Sequence, residues 1–240
     1  MRALSPSQTL DICDLGVGRS PLERALLVID AGKQEAGGDP DGEPVSDASS
    51  WPLGAVNKAL LEQRSAIFGQ RLELLANCPS CGSICQSEID CLKLASAAPA
   101  PADDRIVKVG RKSVAFRLPT LADVMGAARA GHRAGHNLAK SLVADASVDL
   151  DERVLTALSE GVAQADPLAS IAIALACPEC AATWTEPLHI IDVLWTELKT
   201  RCDRLVMEIG RLAQAFGWSE QDILAMSGRR RQRYLELLGS

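Results

Sequence analysis

Four cysteines stand in two Cys-x-x-Cys turns, Cys78-Pro79-Ser80-Cys81-Gly82 and Cys177-Pro178-Glu179-Cys180. Together they supply four thiolates, the tetrahedral complement of a structural zinc. The two-residue spacing lets both sulfurs and the following backbone amides wrap one side of an ion, and a second turn closes the tetrahedron with no open position. In a contiguous ribbon the turns lie close in sequence; here residues 82 to 176, a stretch of 95, separate them. Two unrelated reduced turns, or a redox Cys-x-x-Cys, are the competing readings. Pro follows the first Cys in both turns and an apolar segment precedes both, which favours one shared ion. Gly82 suits such a turn, whereas a left-handed backbone at Ala181 would cost a residue with a Cβ. Cys85 and Cys91 are alternative ligands, although small buried residues beside the site is the plainer reading.

Other chemistry is thin. His132 and His136 stand four apart, but Arg133 occupies the position where a metalloprotease helix needs Glu, and Gly131 and Gly135 weaken the helix. His189, near Trp184 and Pro187, reads as a packed or surface residue. Gly16-Val17-Gly18 follows no strand, so it is no dinucleotide fingerprint, and no phosphate-cradling loop or nucleophile elbow occurs. No enzymatic activity is therefore expected. Arg229, Arg230, Arg231 and Arg233, followed by Tyr234, form a basic cluster with three readings: pairing with acids of the chain, docking to a partner's acidic patch, or phosphate binding. The chain's net charge is −6, which favours the first two over nucleic acid.

The elements that must hold these residues can be read from periodicity. Ile171, Ile173 and Leu175 alternate with Ala, as in a strand with one buried face. Beyond the second turn, Ile191, Trp195, Leu198, Cys202, Leu205, Ile209, Leu212 and Phe216 recur at steps of four and three. They form one stripe of a single long helix, which Gly217 ends. Residues 54–77 are expected as a helix leading to Cys78, and 83–94 as a strand. Residues 106–109 and 113–118 are expected as a hairpin around Gly110-Arg111-Lys112. Thr120 and Asp123 cap a run of Ala-rich helices broken near Gly131, Gly135 and Ser147. Ser20-Pro21-Leu22-Glu23 starts a helix within a helical pair at 5–31. Short helices at 219–226 and 228–238 close the chain. Gly, Pro and acidic residues mark 32–50 as a solvated linker, and Ala-Pro repeats mark 95–104 as a second, stiffer one.

Composition is ordinary for a globular protein: 240 residues, 47% hydrophobic, 23% charged, but only 3% aromatic. The core must therefore be Leu, Ala, Val and Ile. The chain exceeds the size of a disulfide-framework secreted protein, its first residues lack a signal-peptide pattern, and its longest apolar run is too short for a membrane span. A cytoplasmic protein with reduced thiols is expected.

Several segments resemble the baseplate hub assembly proteins of T-even-type phages and their relatives in contractile phage-tail-like injection systems. They run from Gly18-Arg19-Ser20-Pro21-Leu22-Glu23-Arg24-Ala25 through Ile67-Phe68-Gly69-Gln70-Arg71-Leu72 and the first cysteine turn. Phe116-Arg117-Leu118-Pro119-Thr120, Ala165-Asp166-Pro167 and the second cysteine turn follow. Gly217-Trp218-Ser219-Glu220-Gln221-Asp222-Ile223-Leu224 and Arg229-Arg230-Arg231-Gln232-Arg233-Tyr234-Leu235 are the most specific. The resemblance implies a non-catalytic assembly protein or chaperone with a structural zinc on Cys78, Cys81, Cys177 and Cys180. Its partners would be baseplate or hub proteins, with no nucleic acid, membrane or small-molecule substrate. Ala181, where that family usually has Gly, and the long linker at 32–50 depart from the pattern. A nucleic-acid-binding zinc-ribbon regulator is the competing class.

The expected fold is α+β, mostly helical with a small antiparallel zinc-ribbon-like sheet built around the two cysteine turns. A helical pair (1–31) and a linker (32–50) precede a main domain (51–240) that carries a ribbon split over 78–94, 105–118 and 170–188. Arg229, Arg230, Arg231, Arg233 and Tyr234 are its candidate partner-binding residues.

Overall fold

The computed structural model describes residues 2–33, 48–96, 105–145 and 147–239, with the side chain of His132 excepted. Helices dominate, joined by small antiparallel sheets. The chain opens with α1 (Pro6–Leu15) and α2 (Pro21–Lys33), each with a Ser–Pro start. Ser5 accepts from the Gln8 amide while Gln8 reaches back to the Ser5 amide, and Glu23 closes the corresponding contact on Ser20. α2 thus runs into the residues read as linker. Positions 34–47 and 97–104 lie outside the described residues, and Ala48–Ser50 is a single 3₁₀ turn with Ala48 buried.

The helix expected over 54–77 is two elements. α3 (Leu53–Phe68) stops at Gly69, whose φ of +95° an L side chain rarely adopts. Arg71–Asn77 is then a strand, β1, paired antiparallel with β2 (Ile84–Asp90) in the register Leu72↔Ile89 to Asn77↔Ile84. Arg-Leu-Glu-Leu-Leu admits both periods; strand pairing selects two, turning Leu72 inward and leaving Leu75 exposed. A short helix, α4 (Cys91–Ser96), follows, started by the Asp90 carboxylate.

β3 (Ile106–Val109) and β4 (Lys112–Ala115) form the expected hairpin, tightened to a two-residue loop because Lys112 already pairs with Val109. Phe116 leaves the strand and bridges to Val143. Thr120 caps α5 (Leu121–Ala128) through the expected box with Asp123. The helical run breaks at Gly131 (φ +59°), but Gly135 lies within α6 (Ala134–Leu142). α7 (Glu152–Ala165) packs on β3–β4, where Val114, Phe116, Leu118, Val154 and Leu158 make a small core of their own. Residues 105–118, grouped from sequence with the cysteine ribbon, therefore form a separate sheet.

β5 (Ala172–Ala176) and β6 (Thr183–Pro187) make the third hairpin, and α8 (Ile190–Phe216) follows. The predicted stripe of α8 is buried from Trp195 to Leu212, and Gly217 ends the helix in the left-handed conformation. Its first half joins α1, α2 and α3 in the main core. Its second half packs with α9 (Glu220–Ala225) and α10 (Gly228–Leu238) through Leu212, Ile223 and Leu235. Phe216, Trp218 and Tyr234 stack at this end, with ring centroids 4.5 to 5.7 Å apart.

Two polar contacts fix long-range geometry. Asp166 is buried and accepts from the Gly54 amide at 2.8 Å, capping α3 from 112 residues away, and a Cβ at Gly54 would collide with it. Arg64, inside α3, donates twice to Glu197 of α8 and also to the carbonyls of Gly69 and Arg71. One guanidinium thereby ties α3, α8 and the start of β1 together.

Candidate metal centre

Each cysteine turn begins where a hairpin's last pair closes, at Asn77↔Ile84 and at Ala176↔Thr183. The Cys78 amide donates to the Ser83 carbonyl and the Gly82 amide to the Cys78 carbonyl, both at 2.9 Å. The second turn repeats this position for position: Cys177 N–H to Ala182 O at 2.9 Å and Ala181 N–H to Cys177 O at 3.0 Å. Gly82 has φ +75° and Ala181 φ +58°, so the second turn takes the left-handed residue despite its Cβ.

The two turns face each other. Cys78 Sγ lies 3.6 Å from Cys180 Sγ, and Cys81 Sγ lies 3.6 Å from Cys177 Sγ. All four sulfurs are within 4.8 Å of one another. A tetrahedral ion with metal–sulfur bonds of about 2.3 Å needs sulfurs about 3.8 Å apart, whereas a disulfide needs about 2.05 Å. The cysteines are free thiols spaced for an ion. This is the cluster of metal-capable side chains found among the described residues.

Cys78 and Cys177 are buried, and Cys81 and Cys180 face solvent. The Ser83 hydroxyl and amide push the Cys81 thiol down to about 6. Burial raises Cys177, but the amides of Cys180 and Glu179 outweigh it, and the net shift is downward. At Cys180 the Ala182 amide lowers the value, but the neighbouring Cys81 leads the opposing effects, and the thiol ends at about 11. Amides therefore point at the sulfurs as in a metal turn, while at Cys180 the neighbouring thiols oppose ionisation. A cation among them removes that conflict by favouring the thiolate at every position.

Cys85 is a fifth sulfur. It is buried against Cys78 and Cys177, with Ala182 and Trp184 beside it, and burial pushes its thiol up to about 11. Cys91, the other alternative ligand, sits in the main core beside Arg64 and outside the cluster. Cys13 and Cys202 are neighbours in the same core. His136 is exposed, and so is His189.

The arginine cluster divides. Arg229, Arg230 and Arg233 are exposed, but Arg231 is buried, pairs with Glu208 at 3.1 Å and donates to the Met226 carbonyl at 2.8 Å. Arg231 thus belongs with internal pairing and ties α10 to α8; it offers no free charge to a partner. Tyr234 is half-buried in the aromatic group at the end of α8. Sequence reasoning missed the part played by Arg201 and Arg204, which line a groove on α8 beside Phe68 and Leu205. Nothing local in the sequence distinguishes a groove wall from an open helix face.

No family model, curated protein or solved structure matches this chain. No described helix is long and apolar enough to cross a membrane.

Proposed function

We propose that Cys78, Cys81, Cys177 and Cys180 hold one structural zinc, and that the protein is a non-catalytic, cytoplasmic assembly factor for the baseplate or hub of a contractile, phage-tail-like injection system. The observation that carries the metal reading is the approach of four sulfurs from two identical turns, spaced for a tetrahedral ion. Four protein thiolates complete such a coordination shell and leave no position for substrate, which suits a structural ion rather than a catalytic one. A tetrahedron of four thiolates suits zinc, which takes four-coordinate structural sites of this kind.

The assembly reading rests on the segments that resemble baseplate hub assembly proteins, and in the fold their residues have structural roles. Ser20 and Glu23 start α2, Asp166 caps α3, Ser219 caps α9, and Trp218 and Tyr234 join the end of α8 to α10. These are residues that shape a scaffold.

The test is mass spectrometry of proteins co-purifying with the tagged chain from its own host, together with purified sheath-and-tube particles and elemental analysis of the isolated protein. One zinc per chain and recovery of tail or baseplate subunits are expected. Recovery of RNA polymerase or nucleic acid with no tail proteins would replace assembly with regulation.

A further inference from the structure

The groove on α8 carries the strongest unassigned feature of the surface. It has a volume of about 470 Å³ and lies between the end of α3, at Phe68, and α10, at Arg231. Its acids are already matched: Glu197 takes two hydrogen bonds from Arg64, and Glu208 takes one from Arg231. Thr196 and Thr200 turn their hydroxyls back to carbonyls of their own helix, those of Asp192 and Thr196. What remains is Arg201, half-buried, and Arg204, exposed, neither paired with a carboxylate among the described residues. Leu205, itself buried, forms the apolar floor next to them, and half-buried Phe68 the apolar wall.

We propose that this groove docks an acidic segment of a partner protein, its carboxylates on Arg201 and Arg204 and an aliphatic side chain against Leu205 and Phe68. The inference deepens the assembly reading by giving the partner a site and a chemistry. Charge complementarity selects the occupant. On a chain of net charge −6, two cations in one groove, unpaired with carboxylates among the described residues, form a local attraction for acids. Arg201 and Arg204 are three apart on one helix, about 5–6 Å between Cβ atoms, which matches two acids one turn apart on a facing helix. A nucleic-acid track fits less well. The groove spans about 16 Å along α8, from Glu197 to Glu208, and its two unpaired arginines are few beside the run of phosphate contacts that a nucleic-acid track uses.

The experiment uses the full-length protein and a fluorescein-labelled, helix-forming peptide bearing Glu and Leu at helical spacing, read by fluorescence polarisation. Its Glu→Gln counterpart and a labelled duplex DNA are the comparisons. The acidic peptide is expected to bind and the Gln peptide to bind far more weakly. The double variant Arg201→Gln/Arg204→Gln should weaken binding about tenfold or more with an unchanged circular dichroism spectrum. Arg204→Glu, at an exposed position, should abolish binding even if the double variant folds poorly. Equal binding of the two peptides, no binding at low salt, or binding unchanged by either variant would overturn the proposal. So would duplex DNA that binds more tightly than the peptide and displaces it. Repeating the host pull-down with Arg204→Glu separates the two readings. Tail subunits retained by the variant defeat the groove but leave assembly standing; peptide binding without tail subunits in the wild-type pull-down does the reverse.

Discussion

Ala181 adopts a backbone conformation ordinarily left to glycine, with φ +58°, because its amide must reach the Cys177 carbonyl if the second cysteine turn is to close. The equivalent residue of the first turn is Gly82, at φ +75°. A Cβ in the left-handed region costs about 1–2 kcal/mol, and glycine returns part of that through the greater freedom of the unfolded chain. Ala181→Gly is therefore expected to stabilise the protein by about 0.5–1 kcal/mol and to raise its melting temperature. An unchanged or lower melting temperature would show that the turn carries no such strain. This position was legible in advance as the weaker half of the pair, since the requirement follows from the turn itself. Arg231 was less legible. A run of arginines near the end of a chain reads as a charged face, and only the position of Glu208 on α8 turns one of them inward.

Among the elements, α5 shows how much of this fold is locally encoded. Thr120 and Asp123 form the expected capping box, and Arg117 adds two contacts to Asp123, at 2.6 and 2.7 Å. The Arg117 guanidinium first, and the Thr120 amide and hydroxyl after it, hold the Asp123 carboxyl well below the usual carboxylate range, against the opposing effect of burial. A carboxyl depressed in the folded state stabilises the fold above its unfolded pKa of about 4, and that contribution is lost as pH falls towards the folded value. Asp123→Asn is expected to cost about 1 kcal/mol at pH 7 and to flatten the loss of stability between pH 4 and 2. Urea midpoints for both proteins across that range measure it; parallel acid profiles would assign the acid sensitivity to other groups. The boundary between α3 and β1 was not legible in the same way. Leu72 and Leu75 satisfy a helical face as well as a strand, and the pairing with β2 that decides between them lies outside any local window.

Across the molecule, the four cysteines link two hairpins that also contribute to the main core through Leu72, Ile89 and Ile171. Closing a long loop costs entropy that either a metal or apolar burial can offset; the core supplies the second, and an ion on the four cysteines would supply the first. Chelation, or Cys177→Ser, is expected to release zinc, lower the melting temperature and raise amide exchange most over residues 71–90 and 172–187. Protection in α1, α2 and the first half of α8 should persist, because those helices pack on one another without the cysteines. Uniform exchange throughout the chain would mean that the ion holds the whole fold, and exchange unchanged by chelation would remove its structural role.

The sequence alone was enough for the features that arise within a few residues: the Ser and Thr helix starts, the stripe of α8, the stop at Gly217, a hairpin turning at Gly110 and the two cysteine turns. Each depends on hydrogen bonds or steric limits that neighbours impose whatever the rest of the chain does. Tertiary structure alone decided which turn meets which, that Cys85 joins the cysteine group and Cys91 does not, that Asp166 caps a helix begun at Leu53, and that Glu197 and Glu208 pair with Arg64 and Arg231 rather than with Arg201 and Arg204. Those outcomes depend on contacts between residues far apart in the chain, where packing rather than local conformation sets the distance between two side chains.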